Sequence, residues 1–200
     1  MDLNELLAKA MNNDIYALNM LSEMYRYGKG VPIDINLSID YAMKAVNLGS
    51  DWAKVFMYIL YTESPTLIPS SYAEMCLKEA AVAGNADAKY FMGNLLYQDI
   101  HSFFSGKNVS VFNEGIDFND GMMMLSNLMT SGVYLADCII AGHINENATV
   151  NKERAIERLN EVLDVISTLI PNDRLYAVAK NFFKDDMAHL DYYMGLVGYN

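Results

Sequence analysis

The spacing of apolar and small residues along the chain predicts a set of repeated helices. An alanine recurs with an apolar residue four positions later and a bulky one eight positions later, which is the spacing of one helix face. A small residue usually stands at the fifth position, with Tyr58 as the exception, and predicts close approach of a paired helix. The four sets are Ala17, Leu21, Tyr25; Ala53, Met57, Tyr61; Ala88, Met92, Leu96; and Ala136, Ile140, Ile144.

A second helical pattern alternates with the first and closes on a glycine, at Gly49, Gly84 and Gly132. The residues four, eight and eleven positions before each glycine form one stripe, and a closing glycine is typical of the left-handed residue that ends a helix. The one β-like run, residues 108–112, is short. The sequence therefore predicts an all-α fold of helical pairs. The stripe residues are Ala45, Tyr41, Ser38; Ala80, Cys76, Ala73; and Leu128, Met124, Gly121.

Roughly residues 14–166 resemble the Sel-one-like repeat (SLR) family, a branch of the tetratricopeptide-like solenoids, and residues 14–49 fit its pattern best. The matching elements are Ala17-x3-Leu21-Ser22, the turn Gly28-Lys29-Gly30-Val31 and the closing Lys44-Ala45-Val46-x2-Gly49. The resemblance implies a right-handed α-solenoid of stacked helical hairpins in one domain, residues 1–200. We expect repeats at about 14–49, 50–84, 85–132 and 133–166, with C-terminal capping helices at about 173–198.

Charge and hydropathy narrow the range of partners. The formal net charge is −11 and the pI about 4.6, which disfavours nucleic acid and anionic membranes and suits a basic protein. We see neither a basic, apolar leader nor an apolar run of the roughly 20 residues that span a membrane. Cys76 and Cys138 form no paired motif. The expected location is the cytoplasm.

No motif in the chain predicts catalysis, a cofactor or a metal. The turn at Gly28-Lys29-Gly30 lacks the remainder of a phosphate-binding loop and is interpreted as a helix C-cap with its turn. The three histidines are far apart and lack metal-ligand spacing. Cys138 and His143 are five residues apart on a predicted helix and therefore point in different directions. We interpret both cysteines as packing residues and the protein as a non-enzyme.

The first helix of each hairpin is expected to line an extended concave surface. Positions −1, +2 and +6, counted from the alanine, point away from the second helix. An alternative remains open for Val55 and Tyr90, which would instead pack between neighbouring first helices. The predicted partner-binding residues in these positions are Tyr16, Asn19, Glu23, Trp52, Val55, Ile59, Asp87, Tyr90 and Asn94.

An insertion at about Gln98–Asn119 lengthens the third repeat. It is rich in phenylalanine, and these rings are expected either to tuck against the solenoid or to enter a partner. Acidic residues also concentrate here and would attract a basic partner. The binding candidates in and beside this segment are Phe103, Phe104, Glu114, Asp117 and Asp120.

The resemblance implies a protein–protein interaction module without enzymatic activity. Its most concrete form is an immunity protein that binds a cognate, basic toxin and covers its active site. A scaffold or adaptor in signalling or envelope assembly is the alternative. A hydrolase, which the resemblance also admits, is disfavoured by the two isolated cysteines and the absence of a leader.

Overall fold

The computed structural model describes residues 2–104, 118–144 and 152–169, with the single positions 180, 191 and 195. None of the described residues lies in a β-strand, so the predicted all-α class is confirmed for this part of the chain. The predicted cap at 173–198 falls almost entirely outside it. The described helices are α1 (Leu3–Met11), α2 (Ile15–Tyr27), α3 (Ile35–Asn47), α4 (Asp51–Glu63), α5 (Ser70–Val82), α6 (Ala86–Phe104), α7 (Phe118–Ile144) and α8 (Lys152–Leu169).

The chain divides into two compact units, Met1–Ala88 and Lys89–Asn200. In the first unit each helix packs against the next, from α1 through to α5. This succession of stacked hairpins, α2 with α3 and α4 with α5, is the arrangement that the repeat pattern of the sequence predicts. In the second unit α7 packs against α8.

The first unit has a core built from the alanines that the repeat pattern predicts. Ala17, Ala45 and Ala53 are fully buried and cluster with Leu6 and Leu21, so four helices approach closely. Small residues at these contacts permit short distances between helix axes. The predicted anchor positions are therefore confirmed as core.

The hairpins are joined by a turn that combines a left-handed glycine with a helix cap. Gly49 has φ 88° and Gly84 has φ 96°. The next residue begins a helix, because the side chains of Ser50 and Asn85 accept hydrogen bonds from the N–H groups three residues on, at 3.1 and 2.9 Å. The predicted closing role of both glycines is confirmed.

The same turn precedes α2, with Asn13 in place of glycine. Asn13 has φ 60°, and Asp14 accepts a hydrogen bond from the Ala17 N–H at 2.8 Å. Asparagine tolerates the left-handed region better than other non-glycine residues. Helix α1 therefore precedes α2 in the same way as the second helix of one hairpin precedes the first helix of the next.

Gly132, the third predicted closing residue, does not end a helix, because α7 runs through it from Phe118 to Ile144. The physical reason is the next residue: Val133 has no side chain able to cap a new helix, unlike Ser50 and Asn85. The predicted boundary between repeats at 132 and 133 is therefore wrong.

Serine hydroxyls show the true register of the third hairpin. In the first hairpin, the Ser38 hydroxyl donates to the Ser22 carbonyl at 2.8 Å where α2 and α3 meet. In the third, the Ser131 hydroxyl donates to the Gly93 carbonyl at 2.7 Å. Gly93 and Ser22 occupy the same position after their alanines, so Ser131 corresponds to Ser38. The glycine eleven positions later, as Gly49 is after Ser38, is Gly142.

Helix α8 occupies the position of the first helix of a fourth hairpin. The Arg158 guanidinium lies 4.8 Å from the ring centre of Tyr97 on α6, as that of Arg26 on α2 lies 5.1 Å from Phe56 on α4. With Ala155 as the anchor alanine of α8, the two pairs occupy equivalent positions. In each pair, one residue stands nine positions after the anchor of one first helix, and its partner stands three positions after the anchor of the next first helix. The predicted fourth set at Ala136 is thus wrong. Its replacement is Ala155, Leu159 and Leu163, all buried.

The predicted insertion is partly helical. Helix α6 continues to Phe104 and α7 begins at Phe118, so both ends of the segment Gln98–Asn119 extend the helices of the hairpin. Residues 98–104 contain no glycine or proline that would stop α6. Residues 105–117 lie outside the described residues.

The conformation at position 49 predicts a graded response to substitution. Gly49→Ala lowers the free energy of unfolding by about 1–2 kcal/mol, because an alanine at this φ is strained. No atom stands within 4 Å of the added Cβ, so crowding does not contribute. Gly49→Asn should cost less, since Asn13 adopts this conformation in the equivalent turn. Urea unfolding of both variants measures this, and equal losses would contradict it.

The crossing of α6 and α7 predicts a steric penalty at Gly93. A Cβ there would lie 2.7 Å from Leu135 Cγ and 3.2 Å from the Ser131 carbonyl oxygen. Gly93→Ala should therefore destabilise the protein by about 1–3 kcal/mol. Thermal or urea unfolding measures the loss. In a Leu135→Ala background the added cost of Gly93→Ala should shrink, and an unchanged cost would show that this crossing does not cause it.

Candidate protein-binding surface

Two aromatic side chains stand out on the first helices of the first unit. Tyr16 on α2 is 60% exposed and Trp52 on α4 is 38% exposed. Each precedes a fully buried anchor, Ala17 or Ala53, by one residue. Because one residue turns the helix by about 100°, each ring is directed away from the hairpin core.

A side-chain hydrogen bond connects α2 directly to the start of α4. Asn19 Nδ2 lies 3.1 Å from Ser50 Oγ, and this hydroxyl lies 3.2 Å from Asn19 Oδ1. Ser50 also caps α4. Asn19, predicted to face a partner, therefore holds the two first helices side by side.

Stacked aromatic and cationic groups connect the same two helices further along. Trp52 stacks on Phe56 with ring centres 4.5 Å apart and planes 20° apart. The Arg26 guanidinium carbon lies 5.1 Å from the centre of Phe56 and 4.5 Å from that of Tyr27. Lys29 Nζ lies 5.0 Å from the Tyr27 centre. We call these five residues the cation–aromatic column.

Carboxylates hold both cations of the column in place. Arg26 donates through two nitrogens to Glu63 on α4, with Nε 2.8 Å from Oε2. Lys29 Nζ lies 2.6 Å from Glu23 Oε1. The Arg26 side chain is only 10% exposed, so solvent screens its contacts weakly. Glu23, a predicted binding residue, thus supports the column through Lys29.

Val55 is not part of the surface. It is only 5% exposed, because α4 packs against both α3 and α5 and is buried around most of its circumference. Val55 is thus buried, as the alternative expects, but the helices that α4 packs against here are the second helices α3 and α5, not the neighbouring first helices that the alternative names. Ile59, Asp87 and Tyr90 are partly buried.

In the second unit, Asn94 is engaged within the chain. Its Oδ1 accepts a hydrogen bond from Arg158 Nε at 2.9 Å, and Arg158 lies over Tyr97 and pairs with Glu161. The contact joins α6 to α8. An arginine, an aromatic ring and a glutamate thus connect first helices in both units.

The remaining candidates lie outside what the structure describes. Glu114 and Asp117 fall in residues 105–117. Phe103, Phe104 and Asp120 belong to α6 and α7, but their side chains are not among the described ones.

The cysteines are core residues, as predicted. Cys76 and Cys138 are buried and unbonded to each other, and burial raises the pKa of the Cys76 thiol, which disfavours the reactive thiolate. In the described part of the chain, no cluster of three or more His, Cys, Asp or Glu side chains is arranged to hold a metal. No helix described here combines the length and hydropathy of a membrane span.

The repeat pattern of the sequence does not mark Arg26, Phe56, Tyr27 or Lys29 as surface residues. The sequence feature that could have indicated them is an arginine near the end of one first helix, Arg26, followed on the next first helix by an aromatic residue and a glutamate, Phe56 and Glu63. The pattern of apolar positions does not weight charged residues, so it passed over the pair.

The fold and this surface define an all-α protein whose described part contains stacked helical hairpins. No protein-family model matches the chain, and no curated protein matches it. Among solved structures, it is similar to a protective antigen present in uropathogenic Escherichia coli strains that displays an SLR fold. The identity is 17%, the TM-score is 0.46, and the match covers 96% of this chain and 39% of that one. The chain thus spans well under half the length of that protein.

The geometry of the column predicts that Arg26 stabilises the first unit. Arg26→Lys should lower the free energy of unfolding by about 1–3 kcal/mol, because lysine cannot make the two-pronged bond to Glu63 while covering Phe56 and Tyr27. Urea unfolding measures this. Glu23→Gln, which removes an exposed ion pair, is the control and should cost under about 1 kcal/mol. Similar losses for both variants would contradict the assignment.

Proposed function

We propose that this protein is a protein-binding module and that the exposed rings of Tyr16 and Trp52 on α2 and α4 contact the partner. The observation that carries the proposal is the combination of exposure with rigid support: Trp52 is 38% exposed yet stacked on buried Phe56. Tryptophan and tyrosine are enriched among the residues that dominate binding energies. A ring that is already held loses less freedom on binding.

We further propose that the partner is basic and, most concretely, a toxin that this protein neutralises in the cytoplasm as an immunity protein. The support is charge. The chain carries 25 acidic residues against 14 lysines and arginines. In the first unit, Lys9, Arg26, Lys29 and Lys54 are already engaged with carboxylates of the same chain. The acidic excess is therefore left to speed association with a cationic protein.

The surface predicts the outcome of two substitutions. Trp52→Ala and Tyr16→Ala should each weaken partner binding by about 2 kcal/mol or more while the protein remains folded. Calorimetric titration measures affinity, and circular dichroism checks the fold. Met75→Ala is the matched control, because Met75 is 47% exposed on the second helix α5 and should leave affinity unchanged. Equal effects of all three variants would contradict this surface.

The toxin proposal has its own experiment. The product of the neighbouring gene is expressed alone and together with this protein, and cell survival is counted. Protection that is lost in Trp52→Ala and kept in Met75→Ala supports the immunity proposal. Stable binding without any protection would instead favour a scaffold or adaptor.

A further inference from the structure

The cation–aromatic column begins with a cation, Lys29, and ends with an aromatic ring, Trp52. From Lys29 it passes through Tyr27, Arg26 and Phe56 to Trp52, so both tyrosine and phenylalanine rings already face a cation. Within the described residues, the ring of Trp52 contacts no cation and no second aromatic ring besides Phe56. Indole is the side chain that binds cations most strongly through its ring face.

The stack beneath Trp52 sets its orientation. Phe56 is 4% exposed and lies nearly parallel to the indole at 4.5 Å, so Phe56 covers one indole face, while Trp52 as a whole remains 38% exposed. Phe56 is in turn covered by Arg26, which Glu63 holds. The indole is thus fixed before any partner arrives, and a ligand need not immobilise it.

The net negative charge of the first unit favours a cationic ligand at Trp52. Residues 1–88 contain eleven acidic and six basic residues, and the nearest lysine in the helix, Lys54, already binds Asp51 at 3.1 Å and Glu79 at 3.4 Å. An incoming cation therefore meets a net negative unit, and an incoming carboxylate would be repelled.

We propose that the outer face of Trp52 is the docking site for an arginine side chain of the partner, which would continue the column as Arg26 does inside it. The inference rests on the proposed function and specifies its recognition chemistry. Arginine is favoured over lysine because its planar guanidinium stacks on a ring, as Arg26 stacks here over Phe56 and Tyr27.

The test uses the full chain and a pair of probes, an oligo-arginine peptide and its oligo-citrulline counterpart, which keeps the shape and removes the charge. Trp52 is the only tryptophan, so its fluorescence reports the site directly. We expect the arginine peptide to change the emission of Trp52 saturably and the citrulline peptide to do so far less. Equal changes with both peptides, or none with either, would overturn the inference.

Substitutions of Trp52 distinguish binding of the peptide to the indole ring from general attraction of a cationic peptide to an acidic surface. Calorimetric affinities for both peptides give an arginine-to-citrulline ratio. Trp52→Leu should lower this ratio about threefold or more, whereas Trp52→Tyr, which keeps a ring, and Met75→Leu, on the second helix α5, should largely preserve it. A ratio unaffected by Trp52→Leu would overturn the inference. If Trp52→Ala still weakened binding of the natural partner, the proposed function would stand and only the arginine assignment would fall.

Discussion

The close contact between paired helices is the constraint on which the rest of the structure depends. Where α2 meets α3 and where α6 meets α7, a buried serine hydroxyl of the second helix donates to a carbonyl of the first, Ser38 to Ser22 and Ser131 to Gly93. The bond forms only if both helices carry small residues at the crossing, because a larger side chain would separate them. It therefore determines both the distance between the helices and their register. In these two hairpins, that register decides which faces of the helices remain exposed.

A second set of contacts aligns neighbouring first helices and supports the proposed surface. Helix packing alone leaves some freedom to slide, and polar and cation–aromatic contacts with defined geometry reduce it. Between α2 and α4 these are the Asn19–Ser50 bond and the bond of Arg26 to Glu63 over Phe56. Between α6 and α8, Arg158 over Tyr97 repeats the device with the two partners exchanged. The same chemistry that positions Trp52 thus joins neighbouring first helices within each unit, and in the first unit it links stability to the proposed binding surface.

The predicted binding residues on the first helices serve two purposes: some of them hold the helices together, and others form the exposed surface. Of these residues, Asn19, Glu23 and Asn94 bond to other parts of the chain, and Val55 is buried. Tyr16 and Trp52 remain as exposed aromatic groups. The helical spacing placed all of these residues on one side, but a helix in an array has neighbours on more than one side. Spacing alone therefore overestimates the accessible surface.

The sequence by itself determined the all-α class, the first two hairpins and their closing turns, because glycine conformation, helix caps and apolar periodicity act within a few residues. It also indicated Tyr16 and Trp52 as surface aromatics. Only the tertiary structure decided that Ser131 is the counterpart of Ser38, that α8 stands in the place of a first helix, and that Arg26 completes a column with Trp52. These features depend on pairs of residues distant in the chain, such as Ser131 with Gly93 and Arg26 with Phe56, and local periodicity contains no information about which distant residues meet.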